Sequence, residues 1–341
     1  MTISRLNQIC LGVRPSLSAM ISALRHVHIP TELVQARSAR RRTALGLTLI
    51  AVAWPASWLH VGPIGEFAFF PLWLGYILVV DALVFRRRGS SLLSRNPIAF
   101  CGMFLASVPL WWAFEGINQI TQNWYYLGDE EYSTLQHVVV ASWSFSIVIP
   151  AVFETAELVG SFGTLARFSQ GPVLPVSNRL LAVSMALGFL SFVALAVWPH
   201  YAYAGTWICL LLVLDPINYL RGHPSIIGWL HRGDWRLVVA LGAGALLCGW
   251  FWEMWNYWAF PKWQYSVPYV GFAKVFEMPL LGYLGYLPFG LEAYAAYHFL
   301  SGMVGRAPKV YLQIGTPHSA LQRDPGVAPC PLPNDGMSTT R

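Results

Sequence analysis

The residues of this chain that could do chemistry are carboxylates placed inside apolar segments, and they come in matched sets. Trp112, Glu115, Asn118, Pro150 and Glu154 recur 138 residues later as Trp250, Glu253, Asn256, Pro288 and Glu292, with the first glutamate 39 residues before the second in both sets. A Trp-x-Tyr lies between them each time, at Trp124/Tyr126 and at Trp263/Tyr265, and upstream Asp81 and Asp215 each close an apolar run shortly before an arginine (Arg86, Arg221). Agreement of this kind among rare residue types reads as an internal duplication. A carboxylate in a membrane helix costs about 2.5–3.5 kcal/mol on the mildest scale, so each such acid is a functional candidate.

Two motifs carry the candidates. The first is Trp-x-Phe/Trp-Glu-x-x-Asn, over Trp112–Asn118 and Trp250–Asn256. Glu and Asn at i, i+3 share a helical face, with the Trp three residues before the Glu on the same side. The Asn amide and the indole N–H could both donate to the carboxylate. The second is Pro-x-x-x-Glu, at Pro150/Glu154 and Pro288/Glu292. A proline inside a helix frees a carbonyl and kinks the chain, which would open a polar pocket beside its carboxyl. Each motif also has a purely structural reading: a hydrogen-bonded cluster at a helix end, or a kink with a satisfied acid. Glu157 has no counterpart, because Ala295 stands at its place. Asp81 and Asp215 read as interfacial acids paired with snorkelling arginines, and Lys274/Glu277, at i, i+3, as a local ion pair.

No Lys or Arg falls in the middle of an expected span, so the four duplicated glutamates lack an evident counter-ion. Either they carry protons, because desolvation disfavours the charged form, or they share a bound cation. Other chemistries lack their signatures. The chain has no phosphate-binding Gly-x-x-x-x-Gly-Lys loop, no Gly-x-Ser-x-Gly, no His-x-x-x-His and no Asp-rich diphosphate motif. Its five cysteines form no Cys-x-x-Cys pair. No metal and no cofactor is expected.

The elements that must position these acids are membrane helices. The chain is 55% hydrophobic and only 11% charged, whereas a soluble domain is about 25% charged. The expected class is an all-α polytopic membrane protein, with eight spans near 43–60, 67–85, 98–120, 136–163, 179–198, 204–220, 236–258 and 276–303. They fall into a first membrane repeat at 43–165 and a second at 176–303, preceded by a basic arm at 1–42 and followed by a disordered Pro-rich tail at 304–341. Four spans per repeat return the chain to its starting side. The repeats should therefore be parallel, related by a pseudo-twofold axis along the membrane normal, with Glu115 facing Glu253 and Glu154 facing Glu292. Arginines crowd the N-terminal flank and the loops after spans 2, 4 and 6, whereas 121–135 holds Asp129, Glu130 and Glu131 and no base. Both termini are thus expected in the cytoplasm, in the inner membrane. The net charge of +6 is then a topology signal. It calls for no nucleic-acid partner.

The order of these features resembles that of the small, duplicated integral-membrane lycopene cyclases and related carotenoid-modifying enzymes. The shared elements are an apolar helix ending in Asp before Arg (Asp81, Asp215), the Trp-x-Tyr segment (Trp124/Tyr126, Trp263/Tyr265), and a helix with Pro shortly before Glu (Pro150/Glu154, Pro288/Glu292). The family's Pro-x-Glu-Glu pattern is absent, and a Glu-x-x-Asn helix is inserted. The resemblance implies an isoprenoid or other lipid substrate.

Three readings follow. In the first, an intramembrane enzyme uses one carboxylic acid to protonate an alkene and a second carboxylate to remove a proton, with aromatic faces stabilising the cation between. Glu154, Glu292, Glu115 and Glu253 would carry the chemistry. Asn118, Asn256, Trp112, Trp250, Trp124, Trp263, Tyr126 and Tyr265 would line the site, with Asp81 and Asp215 secondary. In the second, a transporter or channel uses the paired acids as a proton or cation site. In the third, the chain is a non-catalytic scaffold. Membrane lipids, and a lipid-like small molecule, are the expected partners.

Overall fold

The computed structural model describes residues 31–128, 130, 132–305 and 312–315. The described residues from Ala39 onward form one compact unit. The described chain is mostly helical. Its elements are α1 (Thr31–Trp58), α2 (Gly62–Glu66), α3 (Phe69–Arg88), α4 (Leu92–Arg95), α5 (Pro97–Thr121), β1 (Trp124–Leu127), α6 (Thr134–Phe145), α7 (Val148–Gly160), α8 (Asn178–Val197), α9 (Pro199–Ala202), α10 (Cys209–Leu220), α11 (Ile226–His231), α12 (Arg236–Tyr257), β2 (Lys262–Tyr265), β3 (Lys274–Val275), β4 (Met278–Pro279) and α13 (Tyr286–Met303). Short 3₁₀ turns cover Gly163–Phe168, Tyr203–Trp207 and Leu280–Gly285.

Among the described residues six helical stretches are long and apolar enough to cross a membrane: Phe69–Arg88, Pro97–Thr121, Thr134–Gly160, Asn178–Val197, Pro199–Leu220 and Arg236–Tyr257. The expected first and eighth spans fall outside that set for different reasons. The apolar part of α1, Thr43–Trp58, is shorter than the roughly 20 residues that cross a bilayer. The expected 276–303 span is helical only from Tyr286, and α13 is diluted by Pro288, Glu292, His298 and three tyrosines. Residues 278–285 form β4 and a 3₁₀ turn instead.

The densest contact joins α7 to α12. A Cβ on Gly244 of α12 would sit 2.8 Å from the Ala156 nitrogen, so glycine permits the close approach. Asp81, Ala156, Glu154 and Glu253 are all fully enclosed. The helices α5 and α12 end on the same side, where β1 and β2 pair antiparallel with Trp124 opposite Tyr265 and Tyr126 opposite Trp263.

The structure adds three points about segment ends. Helix begins at Thr31 inside the supposed basic arm, whose residues 1–30 lie outside the described ones. The tail is packed where it is described: Leu312 and Ile314 are buried, and the Gln313 N–H donates to Glu157 at 2.7 Å. The rest of the tail lies outside the described residues. Pro150 and Pro288 do not kink mid-helix. Each is the third residue of its helix, α7 or α13, and the glutamate is the seventh. In the first turn backbone N–H groups have no intrahelical acceptor, so proline gives up nothing there.

Candidate functional site

Helix α5 presents Glu115 to three donors. Trp111 Nε1 donates at 2.9 Å, Trp124 Nε1 at 3.2 Å and the Tyr126 hydroxyl at 2.5 Å, all to Oε1. Helix α12 presents Glu253 in a related way. The Tyr265 and Tyr286 hydroxyls each donate to its Oε1 at 2.7 Å, and Trp263 Nε1 donates to the Tyr265 oxygen at 2.9 Å. Glu253 Oε2 is enclosed and has no hydrogen-bond partner. Burial, followed by the adjoining Glu115 carboxylate, pushes the Tyr126 phenol well above its ordinary range. Burial and Glu253 do the same to Tyr265. Both strand tyrosines therefore stay protonated and remain donors.

The asparagines hold strands and leave the carboxylates alone. Asn118 Nδ2 donates to the Trp124 carbonyl at 2.8 Å, while its Oδ1 accepts the Asn123 and Trp124 N–H groups at 2.8 and 3.2 Å. Asn256 repeats the pattern, donating to the Trp263 carbonyl at 2.8 Å and accepting its N–H at 2.9 Å. Each Glu-x-x-Asn thus fixes the start of the strand whose tyrosine, two residues on, returns to the glutamate. Trp112 and Trp250 are not partners of the acids. Trp112 Nε1 donates to Ser142 Oγ at 3.0 Å, and Trp250 is exposed with its ring edge against Phe276. The indole of the same helix that reaches Glu115 is Trp111, one residue off the repeated position, because i−4 lies more nearly above a helical residue than i−3 when its side chain leans toward the N-terminus.

An aromatic cavity of about 150 Å³ lies between these partners, walled by Trp111, Trp124, Tyr126, Trp207, Trp252, Trp255, Trp263, Tyr265, Phe69 and Phe145. Glu66, Tyr132, His137 and Lys262 add polar groups to its lining. A second chamber of about 30 Å³ shares Trp111, Trp207, Trp252 and Tyr265 with it and adds Tyr286 and Phe289. Trp111 and Trp252 stack at 5.3 Å and 23°, and Trp124 stacks on Trp207 at 6.0 Å and 27°. The cavity therefore touches the donors of both Glu115 and Glu253. Trp111, Trp207 and Tyr286 escaped the sequence reading, and Trp252 entered it only as the Phe/Trp position of the first motif. Of the three missed, Trp111, adjacent to a singled-out residue, left a usable signal.

None of the four duplicated glutamates lines either chamber: Glu115 and Glu253 meet the walls through the tryptophans and tyrosines that donate to them, whereas no donor to Glu154 or Glu292 lines a wall. Glu292 accepts the Leu210 and Leu211 N–H groups at 3.0 and 3.4 Å, closing the start of α10. Glu154 is fully enclosed, with neither oxygen hydrogen-bonded, and its nearest acidic neighbours are Asp81 and Glu157. This region is a buried charge cluster. Asp81 pairs with Arg42 at 3.0 Å, not with Arg86, and Glu157 pairs with Arg95. Asp81 and Asp215 also share a role. Asp81 accepts the Leu93 N–H at 3.1 Å at the head of α4, and Asp215 accepts those of Ile226 and Ile227 at 2.7 and 2.8 Å at the head of α11. Arg221 lies over the Phe299 ring instead of pairing with Asp215. Glu277 pairs with Lys262, not Lys274, because 274–279 is a two-stranded turn in which i and i+3 share no helical face. Among the described residues no group of three or more His, Cys, Asp or Glu is arranged to hold a metal ion.

No family model, curated protein or solved structure matches this chain.

Proposed function

We propose that this is an integral-membrane enzyme that moves protons on an isoprenoid or other lipid, with Glu253 as acid and Glu115 as base. The observation that carries the assignment is the number of donors each carboxyl collects on its Oε1, three at Glu115 against two at Glu253. Glu253 has both donors on Oε1 and a bare Oε2, which is where a carboxylic acid would carry its proton. Glu115 collects three donors, which favours the carboxylate. In the reaction, Tyr265, which lines the cavity and is bonded to Glu253, passes its hydroxyl proton to one alkene carbon as it takes the Glu253 proton; a new C–H bond forms, the π bond breaks, and positive charge develops on the neighbouring carbon. Indole faces of Trp111, Trp207 and Trp252 stabilise that charge. Breaking an adjacent C–H bond restores a double bond, and its proton goes to the Tyr126 oxygen as the Tyr126 hydroxyl proton moves to Glu115. The proton count is unchanged and no oxidant is needed.

The matched hydrogen bonds of Asn118/Asn256, Tyr126/Tyr265 and Asp81/Asp215, and the matched places of Pro150/Pro288, support an origin by duplication. They also support eight membrane-entering segments in two parallel units. Arginines clustered at one end of these segments support placement in the inner membrane with both termini in the cytoplasm. Glu154 and Glu292 belong on this reading to the frame, one in the charge cluster and one at a helix start. A transporter reading would route protons through the Glu154–Asp81 cluster, and the two separate experimentally. Lipids extracted from a deletion strain should differ from wild type by an accumulated substrate. Glu115→Gln and Glu253→Gln should fail to restore the profile and Glu292→Gln should restore it. Restoration by all three variants would end the enzyme reading.

A further inference from the structure

We infer that the cavity takes only one bulky end of a long apolar lipid, and that this end arrives sideways from the bilayer past α6. The inference rests on the enzyme reading for its substrate class and adds how that substrate is held and admitted. Size sets the first half. An apolar cavity of about 150 Å³ accommodates a benzene-sized group, so a ring or a folded terminal unit fits and a whole long chain does not. The rest of the molecule must remain outside, in a medium that suits it.

The second half comes from how α6 is attached. Its inner face, with His137, Val140, Ala141 and Ser144, forms part of the cavity wall. Its outer face carries Leu135, Val138, Val139 and Trp143, all exposed. Among its described residues Phe145 alone is buried. A wall one helix thick thus separates the cavity from the side that faces lipid in a membrane. That helix is also mechanically separate. It starts on its own capping box, Ser133 with Gln136, and ends at Phe145, with Ser146 and Ile147 breaking the run before α7. Its ties include the Trp112–Ser142 hydrogen bond, the Phe70–Trp143 and Trp112–His137 ring contacts at 4.1 and 6.5 Å and the packing of Phe145 against Trp111 and Trp112, with Tyr132 bonded to Glu66 just before it starts. A helix so lightly packed and hinged at its end belongs to the low-stability part of a fold, from which moving elements are drawn.

The test uses all-trans-retinol, a ring-ended apolar chain that absorbs tryptophan emission, added to phosphatidylcholine proteoliposomes. Wild type should show saturable energy transfer that farnesol competes away. Ala141→Trp, which fills the cavity from α6, should weaken the saturable component at least tenfold, while Val139→Trp on the outer face should bind as wild type does. Phe70→Ala, which loosens α6, should speed the saturable phase severalfold and leave its midpoint within twofold. Absence of saturable transfer in wild type, or an unchanged midpoint in Ala141→Trp, overturns the end-group assignment. An unchanged rate in Phe70→Ala overturns passage by α6. Retinol binding as stated, together with a normal lipid profile in Glu115→Gln, would discard the enzyme reading and leave this inference standing.

Discussion

Replacing Asn118 with alanine should destabilise the protein far more than a surface asparagine would, because its amide serves three backbone groups at once. It donates to the Trp124 carbonyl and accepts from the Asn123 and Trp124 N–H groups, and both of those residues are buried. Alanine leaves all three groups without partners. An unmet buried polar group costs about 1–3 kcal/mol, so even the lower bound for three is about 3 kcal/mol. Asn256→Ala strands two groups, on the half-buried Trp263, which sets about 2 kcal/mol. At about 2–4 °C per kcal/mol for a chain of a few hundred residues, the midpoint should fall by roughly 6–12 °C for Asn118→Ala. Because β1 and β2 pair with each other, one loosened strand already weakens its partner, and the double variant should lose less than the sum by about 0.5–3 kcal/mol. Thermal unfolding in detergent micelles, followed by tryptophan emission, gives all three numbers. An Asn118→Ala midpoint within 1 °C of wild type, or strict additivity in the double variant, would refute the reasoning that these asparagines hold a shared strand pair.

Other substitutions probe separate joints. A Cβ on Gly249 would lie 2.5 Å from the Tyr286 ring. Gly249→Ala should therefore push Tyr286 off Glu253 and cost about 1–3 kcal/mol, and Tyr286→Phe should reproduce its functional loss without the steric part. Arg95→Met leaves Glu157 enclosed without its cation and should cost about 3–5 kcal/mol. Adding Glu157→Gln to Arg95→Met should recover part of that loss, as chemical denaturation in micelles would record. His223, in the loop after α10, is held below its ordinary imidazole value by burial and then by Arg221. Its stabilising contribution is complete above the unfolded-state value and is lost as pH falls through the lower folded value. Acid should therefore lower the unfolding midpoint of wild type more than that of His223→Gln.

The hydropathy of the chain made its membrane class legible, because long runs without charge leave a helix few other places to go. The spacing of Glu115 with Asn118, and of Glu253 with Asn256, put each pair on one helical face. What spacing could not say was that the amides would turn to the strands, since the free backbone groups of Trp124 and Trp263 become neighbours only after the chain has reversed. The choice of Trp111 over Trp112 depends on side-chain lean and packing, which a repeated letter does not encode. The pairing of Asp81 with Arg42 reaches far back along the chain and outcompetes the nearer Arg86, which donates to Thr43 instead. The break at Ser146–Ile147 falls within one apolar run, so hydropathy merges α6 and α7 and hides the hinge. Pro150 marks the new helix only once its place in the first turn is known.

The most direct measurement is isotope uptake from solvent. Protein in proteoliposomes prepared in D₂O is incubated with the lipid extract of a deletion strain, and the products are weighed by mass spectrometry. If Glu253 delivers a solvent-exchangeable proton to carbon, wild type should yield a product carrying one carbon-bound deuterium. Glu253→Gln and Glu115→Gln should yield none, and Glu292→Gln should match wild type wherever it folds. A product formed without deuterium, or formed equally by Glu253→Gln, would contradict carboxyl-driven proton chemistry in this cavity.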